Sequence, residues 1–334
     1  MNNKSFTPSA EDDKRVRTLT LKDAMKLSVK VLWLRHFYAI IHQCKINAMK
    51  FTKHGLPYKE ELCMDYGINI NFFARRIGLK KSAELIAKAG FTKLDYTPNL
   101  LEDNFEHTVK DALKIFEDNG LKVHQTHAPF NRYGRYNECH KLCLDRCAEA
   151  TAYMGAEFMV AHGDEFDFEN MTFSPELALN YNHDLFFQYV EHGKKCGYKL
   201  AFETVFEDGS GGRRRYTSDA KELLDLITSF NSESVVCCWD SGHAHVSFNK
   251  NAPNVVREFG SLIQCTHIHD NTGCDSHQMP LTGDIDWEGV MTAFKDIGYQ
   301  GVFSIEYAHG KMAEGLMTDF INLTYKAAEC LWSL

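Results

Sequence analysis

The chain has 334 residues, of which 44% are hydrophobic and 25% charged, and its formal net charge is −8 at pH 7. This composition is typical of a soluble globular protein and supplies enough apolar surface for one large core. The negative charge argues against a broad surface for nucleic acid or for an anionic membrane. No stretch reaches the roughly 18 uninterrupted apolar residues of a membrane span. We therefore expect neither nucleic acid nor a membrane as a partner.

Eleven cysteines are present, and none forms a Cys-x-x-Cys pair. This spacing argues against a zinc ribbon and against a thioredoxin-type motif. Cys139, Cys143 and Cys147 recur every four residues, which we interpret as a buried stripe of small apolar residues rather than a metal or redox site. The N-terminus lacks the order of charged, apolar and small residues of a signal peptide. Reduced thiols then favour a cytoplasmic protein.

Residues 1–63 do not share the pattern of the following chain, and we expect this N-terminal extension to be partly helical or disordered. Leu19–Met49 is basic and partly apolar, as in a helix. One hypothesis is that translation starts at Met49 or Met64 and that the preceding segment is a start-site artefact. The alternative is a genuine helix that covers one end of the next domain or pairs subunits in a homodimer or tetramer.

From Tyr66 onward, short β-type runs alternate with longer amphipathic helical runs. The predicted strands are Tyr66–Asn69, Lys93–Thr97, Lys122–Thr126, Phe158–Ala161, Lys199–Glu203, Val235–Asp240, Ile263–His267 and Gly301–Glu306. The predicted helices are Lys80–Ala89, Phe105–Asn119, Tyr136–Met154, Pro175–Cys196, Ser218–Phe230, Ala252–Phe259, Trp287–Ile297 and Glu314–Leu331. Strands that each precede a helix imply parallel pairing with right-handed crossovers.

Eight such units close naturally into a (β/α)₈ TIM barrel, which we predict for residues 64–334. A doubly wound open sheet is the alternative, but it would need a glycine-rich phosphate loop after the first strand. The segment Tyr66–Gly78 contains none. The α/β barrel is therefore the predicted fold.

Almost every strand from the third to the eighth ends on, or is followed by, a side chain that can bind a metal. These side chains are His127, His162, Glu203, Asp240, His243, His267, His269, Asp275, His277 and Glu306. The carboxyl ends of barrel strands converge on one mouth, where crowded acids and imidazoles would be costly unless a cation compensated them. The mixture of oxygen and nitrogen ligands suits a divalent metal ion: Mn²⁺, Mg²⁺, Co²⁺ or Zn²⁺.

These residues resemble the xylose-isomerase-like barrel superfamily, which holds sugar and sugar-phosphate isomerases and epimerases together with AP endonucleases of the endonuclease IV type. The resemblance covers about residues 64–332. It is most specific in Asp240-Ser-Gly-His243, in His267-Ile-His-Asp-Asn271 and in Asp275-Ser-His277.

The resemblance implies a four-ligand metal site formed by Glu203, Asp240, His267 and Glu306. In similar ketose 3-epimerases the second His of a His-x-His pair holds the metal, which would favour His269. In endonuclease IV and inositol-type relatives the first His is followed by x-x-Asp, as His267 is here, and we prefer His267.

Further positions match the additional ligands of the three-zinc endonuclease IV site. They are His127, His162, His243, Asp275 and His277. In sugar-isomerase-like relatives such side chains bind substrate hydroxyls instead, and His127 and His162 could simply bond to substrate or to nearby backbone.

The loop after Glu203 is rich in glycine and ends in Arg213, Arg214 and Arg215. Guanidinium groups pair with phosphate or carboxylate, so this loop could fold over an anionic ligand, although a solvated charged loop is the alternative. We assign substrate binding to His243, His269, Arg213 and Arg215.

The function implied by the resemblance is a metal-dependent sugar or sugar-phosphate isomerase or epimerase. Glu203 and Glu306 would transfer a proton through a metal-stabilised enediolate. The alternatives are an endonuclease IV-like phosphodiesterase on abasic DNA with a trinuclear zinc site, a keto-sugar or inosose lyase, and a binding protein without catalysis.

Overall fold

The computed structural model describes residues 64–130, 137–164, 173–207, 215–307 and 312–334. The predicted N-terminal extension of residues 1–63, with its alternative start sites, lies outside the described residues. So does Arg213. Within the described residues, no helix combines the length and the apolar character needed to cross a bilayer.

Strands and helices alternate along the described chain. The strands are β1 Tyr66–Asn69, β2 Lys93–Asp95, β3 Lys122–His127, β4 Phe158–His162, β5 Lys199–Glu203, β6 Val235–Asp240, β7 Ile263–His267 and β8 Phe303–Ile305. The α-helices are α1 Asn71–Ile77, α2 Leu79–Ala89, α3 Phe105–Asp118, α4 Glu138–Tyr153, α5 Pro175–Cys196, α6 Ala220–Ser229, α7 Ser241–Phe248, α8 Ala252–Phe259, α9 Trp287–Asp296 and α10 Met317–Trp332.

The eight strands form one parallel sheet in chain order, with β1 between β2 and β8. A parallel bridge between Ile268 and Ile305 joins the ends of β7 and β8 and closes the sheet. The amide of Glu306 donates to the Ile268 carbonyl across the same seam, at 3.0 Å. The predicted (β/α)₈ TIM barrel is therefore confirmed.

Two helices were not predicted from the sequence. The first, α1, follows β1 after a single residue, and the second, α7, begins directly after β6. The Asp240 side chain caps α7 by accepting a hydrogen bond from the amide of His243 at 2.7 Å, a role for which Asp is strongly preferred. His243 thus lies in the first turn of a helix that was not predicted, directly after the predicted end of the strand.

Alternate residues of the strands fill the barrel interior below the mouth. A buried cluster spans four neighbouring strands and is formed by Phe158, Val160, Ala201, Val236, Cys238 and Cys265. On α4, Cys143 and Cys147 are buried and Cys139 is exposed, so two of the three residues in the cysteine stripe pack inside. The interior is therefore a packed core rather than a channel.

Aromatic side chains between α9 and β8 pack against one another and should contribute to the stability of the barrel. Phe294 of α9 is fully buried, and its ring centroid lies 5.1 Å from that of Tyr299 and 5.2 Å from that of Phe303. Phe294→Ala should lower the free energy of unfolding by about 3–5 kcal/mol, because it opens a cavity. Phe187→Ala, at a site that is 51% exposed, is the matched control. Urea denaturation measures both, and equal losses would contradict the assigned packing.

Candidate metal centre

Polar side chains occupy the carboxyl-terminal end of every strand. Seven strands end on such a residue and the eighth is followed by one, in the order Asn69, Asp95, His127, His162, Glu203, Asp240, His267 and Glu306. Because the strands are parallel and the barrel is closed, these side chains meet at one mouth. The sequence predicted polar side chains at the ends of β3 to β8, but it did not predict those at the ends of β1 and β2.

The central group consists of Glu203, Asp240, His267 and Glu306, and each offers a ligand atom within 4.8 Å of the others. His267 Nδ1 lies 3.3 Å from Glu203 Oε2 and 3.4 Å from Glu306 Oε2. This nitrogen is buried and has no hydrogen-bond partner. A buried nitrogen that faces two carboxylates and is otherwise unpaired fits a cation, so the residues present suit a divalent metal.

Asp95 at the end of β2 orients the His267 ring. Its Oδ2 atom lies 3.1 Å from His267 Nε2 and also accepts hydrogen bonds from Asn69 and Gln125, at 3.3 and 3.4 Å. A carboxylate on the far nitrogen of an imidazole fixes the ring and leaves the near nitrogen free to bind a metal. The sequence analysis missed Asp95 because the predicted strand ran two residues further, to Thr97.

A second group joins His127 and His162 to Glu203. The Nε2 atoms of the two histidines lie 2.9 and 3.2 Å from Glu203 Oε2. His127 Nδ1 lies 2.7 Å from the Ala128 carbonyl, which can only accept, so this nitrogen carries a proton. The Nε2 atom of His127 therefore faces the carboxylate.

A third group is formed by His243, His269, Asp275 and His277. The Nε2 atoms of His243 and His277 lie 3.7 and 3.3 Å from the Asp275 carboxylate oxygens. Their Nδ1 atoms bond to the backbone carbonyls of Thr204 and Glu306, at 2.9 and 3.1 Å. Both rings are thus held with Nε2 directed at Asp275.

His267 and His269 lie in different groups. His269 Nε2 is 3.0 Å from Asp240 Oδ1, and its Nδ1 is buried without a partner. A side chain at Gly242 would overlap the His269 ring, so glycine is required there. The placement of His267 among Glu203, Asp240 and Glu306 supports the preference for His267 as the ligand of the four-residue site, and ligation itself stays a prediction.

Asp270 organises the loop that carries Asp275 and His277. Its buried carboxylate accepts hydrogen bonds from the Thr282 amide at 3.1 Å and from the Trp287 indole at 2.8 Å. His277 adopts a positive φ of 42°, which is uncommon for a residue with a side chain. The loop is thus fixed from its base, and its conformation directs the imidazole into the mouth.

Arg215 is buried beside the second group rather than exposed to a ligand. Its guanidinium bonds to Asp164 Oδ2 and to the Phe206 carbonyl, at 2.8 and 3.2 Å. Only 1% of the residue is exposed. This placement favours a positioning role over the predicted contact with substrate.

The acids and imidazoles of the mouth shift one another's pKa values. Burial opposes ionisation of Glu203, but His267 and His162 hold the pKa of its carboxyl well below the ordinary value. Burial raises the pKa of Glu306, and the charges of Glu203 and Asp240 add to this rise. Burial opposes protonation of His267, yet Glu306 and Glu203 raise the pKa of its imidazole well above the ordinary value. Protons on imidazoles would thus balance the acids wherever a cation does not.

A family model described as xylose isomerase-like TIM barrel matches residues 83–326, and the chain belongs to this family. The uncharacterized protein y4fM of Sinorhizobium fredii is 25% identical over 268 residues, which cover 69% of this chain and 81% of that protein.

Solved structures share the fold. A D-psicose 3-epimerase crystallised in the presence of D-fructose aligns with a TM-score of 0.66 and 13% identity, covering 81% of this chain and 100% of that one. The IOLI protein with a bound zinc atom aligns with a TM-score of 0.65 and 18% identity. The alignment covers 81% of this chain and 98% of that one.

Metal binding should release protons from the centre. Because the pKa values of His267 and His243 are raised well above the ordinary value, both imidazoles hold protons near pH 7, and a cation must displace them. Affinity for Zn²⁺ should therefore rise as pH increases from 6 to 8. Calorimetric titration in buffers of different ionisation enthalpy counts the protons released.

His267→Gln should release fewer protons than the wild type, whereas His107→Gln, which removes an exposed imidazole on α3, should release as many. Zinc binding with no proton release would show that the imidazoles of the mouth do not exchange protons for the cation.

Proposed function

We propose that the protein is a divalent-metal-dependent isomerase or epimerase of a sugar or sugar phosphate. The main support for this proposal is the geometry of the central group. The Oε2 atoms of Glu203 and Glu306 lie 3.3 and 3.4 Å from the unpaired Nδ1 atom of His267. Two carboxylates beside one cation position can serve as proton acceptor and proton donor. A carbohydrate substrate is further supported by the 3-epimerase among the structural neighbours.

A bound divalent cation would polarise a substrate carbonyl and the adjacent hydroxyl oxygen. Glu203 projects from β5 and Glu306 follows β8, so the two carboxylates reach the mouth from different strands. One carboxylate would remove the proton from the carbon that carries the hydroxyl, next to the carbonyl, and the other would return a proton to the resulting enediolate. Either carboxylate can accept the first proton, and the other then returns one, so the same pair can serve both directions of the reaction.

Substrate recognition would fall to the side chains around the central group. His269 has a buried nitrogen without a partner, which can bond to a hydroxyl. His243 lies beside it, with ring centroids 5.8 Å apart. Arg213 remains our candidate for contact with a substrate phosphate.

A second candidate function is favoured by the second and third groups. Together with the central group they offer ligands for three cations, as in the endonuclease IV type, and Glu203 belongs to two of the three groups. A multinuclear site suits hydrolysis of a phosphodiester at abasic DNA. The net charge of −8 disfavours DNA binding, which requires several cations to neutralise phosphates. A keto-sugar or inosose lyase would use the same enediolate chemistry.

Metal content and substrate conversion separate these candidates. Elemental analysis after zinc loading counts the ions per chain, and a panel of ketoses, sugar phosphates, inososes and abasic duplex DNA is then assayed. Epimerisation or isomerisation of a sugar supports the primary proposal. Nicking of the abasic duplex at moderate salt with no sugar turnover would replace it with the phosphodiesterase.

Glu203→Gln tests the proposed proton transfer. The variant should lower turnover of the accepted sugar by about 10²–10⁴-fold, because an amide cannot take up the proton. Incorporation of solvent deuterium at the reacting carbon, followed by proton NMR, measures the step directly. Glu258→Gln, at an exposed position of α8, is the matched control and should leave turnover unchanged. Wild-type turnover in a folded, metal-loaded Glu203→Gln protein would remove Glu203 from the mechanism.

A further inference from the structure

We propose that Asp164, held by Arg215, is a positioning residue that sets the metal-binding tautomer of His162. This inference deepens the proposed function and rests on it, since it requires that His162 binds a cation. Asp164 and Arg215 lie outside the three groups of candidate ligands.

The Asp164–Arg215 pair is a buried ion pair with one unused oxygen. Asp164 is 2% exposed and Arg215 is 1% exposed. Two guanidinium nitrogens, Nε and Nη2, lie 2.8 and 2.7 Å from the same oxygen, Asp164 Oδ2. The other oxygen, Oδ1, is buried and has no hydrogen-bond partner. A buried carboxylate oxygen without a donor is costly, so a donor is expected to reach it in the working state.

His162 can supply that donor. Its Nδ1 atom lies 3.8 Å from Asp164 Oδ1 and 3.5 Å from Arg215 Nη2, while its Nε2 atom lies 3.2 Å from Glu203 Oε2. A guanidinium only donates, so in this arrangement Nδ1 accepts and a neutral ring carries its proton on Nε2, toward the Glu203 carboxylate.

Cation binding requires the opposite tautomer of His162. A lone pair on Nε2 must face the cation, and the single proton of the neutral ring then moves to Nδ1 by exchange with water. The Arg215 guanidinium cannot accept that proton, whereas Asp164 Oδ1 can. A small ring movement would shorten the 3.8 Å separation to a hydrogen bond of about 2.8–3.0 Å. Asp164 would then act on His162 as Asp95 acts on His267, where the separation is 3.1 Å.

Arg215 is fixed so that it keeps Asp164 in place. Its Nη1 atom donates to the Phe206 carbonyl at 3.2 Å, and its guanidinium carbon lies 5.3 Å from the Phe206 ring centroid. Its backbone amide donates to Glu207 Oε2 at 3.2 Å. With the guanidinium held at these points, it fixes the Asp164 carboxylate beside His162.

The tautomer of His162 can be observed directly in the wild-type protein. Long-range proton–nitrogen NMR of the ¹⁵N-histidine-labelled, zinc-loaded chain distinguishes a protonated Nδ1 from a protonated Nε2. The His162 signals are assigned by their loss in His162→Gln. We expect a proton on Nδ1 and zinc on Nε2 in the loaded protein. A proton that stays on Nε2 after loading would overturn the inference, and this readout requires no substitution of Asp164.

Variants of the pair give a second readout, the affinity for Co²⁺ followed by its visible absorption. Asp164→Asn should weaken binding at the His162-containing site by about 10- to 100-fold, because the charged acceptor for Nδ1 is lost. Arg215→Lys keeps the positive charge and should cause a smaller loss. Asp296→Asn is the matched control, since it breaks the partly exposed Arg257–Asp296 ion pair, and it should leave the affinity unchanged.

These outcomes distinguish this inference from the proposed function. If the wild type binds no Co²⁺ at all, the proposed function fails and the inference fails with it. If the wild type binds Co²⁺ and Asp164→Asn binds it equally well, only the role of Asp164 is refuted.

Discussion

The crowding of buried carboxylates at the barrel mouth is the constraint on which the rest of the site depends. Glu203 and Asp240 are at most 1% exposed, and Glu306 and Asp275 lie at their rim. Burial of an unpaired carboxylate costs several kcal/mol, and the buried guanidinium beside them, that of Arg215, is already paired with Asp164. A divalent cation bound among them would compensate these carboxylates.

Four histidines of the mouth share one arrangement, in which one ring nitrogen is held and the other faces a carboxylate. Backbone carbonyls hold Nδ1 of His127, His243 and His277. A carboxylate, Asp95, holds Nε2 of His267. Fixing the far nitrogen sets both the tautomer and the ring orientation, which is what a metal ligand requires. His162 fits this arrangement only if Asp164 accepts its Nδ1 proton, and this links the further inference to the whole centre.

Much of the barrel could be predicted from the sequence. Strands β5, β6 and β7 begin and end where the sequence predicted them, because each ends abruptly on a side chain that can bind a metal: Glu203, Asp240 or His267. In β6 the residues before Asp240 form a continuous hydrophobic run, as expected for a strand that is covered on both faces. The same abrupt endings revealed the central group, since parallel strands in a barrel bring their carboxyl ends together.

The features that the sequence did not reveal depend on tertiary contacts. In β2 the residues after Asp95, Tyr96 and Thr97, favour strands as well, so nothing local marked Asp95 as the last residue. Helix α7 has eight residues, too few to show a helical period clearly. The positive charge of Arg215 suggested that it binds a substrate. Its partner Asp164 lies 51 positions away in the chain, so the sequence alone does not show that the two form a buried ion pair.

The central claim is that Glu203, Asp240, His267 and Glu306 surround a shared cation. Anomalous diffraction from crystals of the full chain loaded with Mn²⁺ or Zn²⁺, recorded on both sides of the absorption edge, tests it most directly. The account predicts an anomalous peak between the carboxylates of Glu203 and Glu306, at a bonding distance from His267 Nδ1. A fully loaded crystal without density between these four side chains would contradict it.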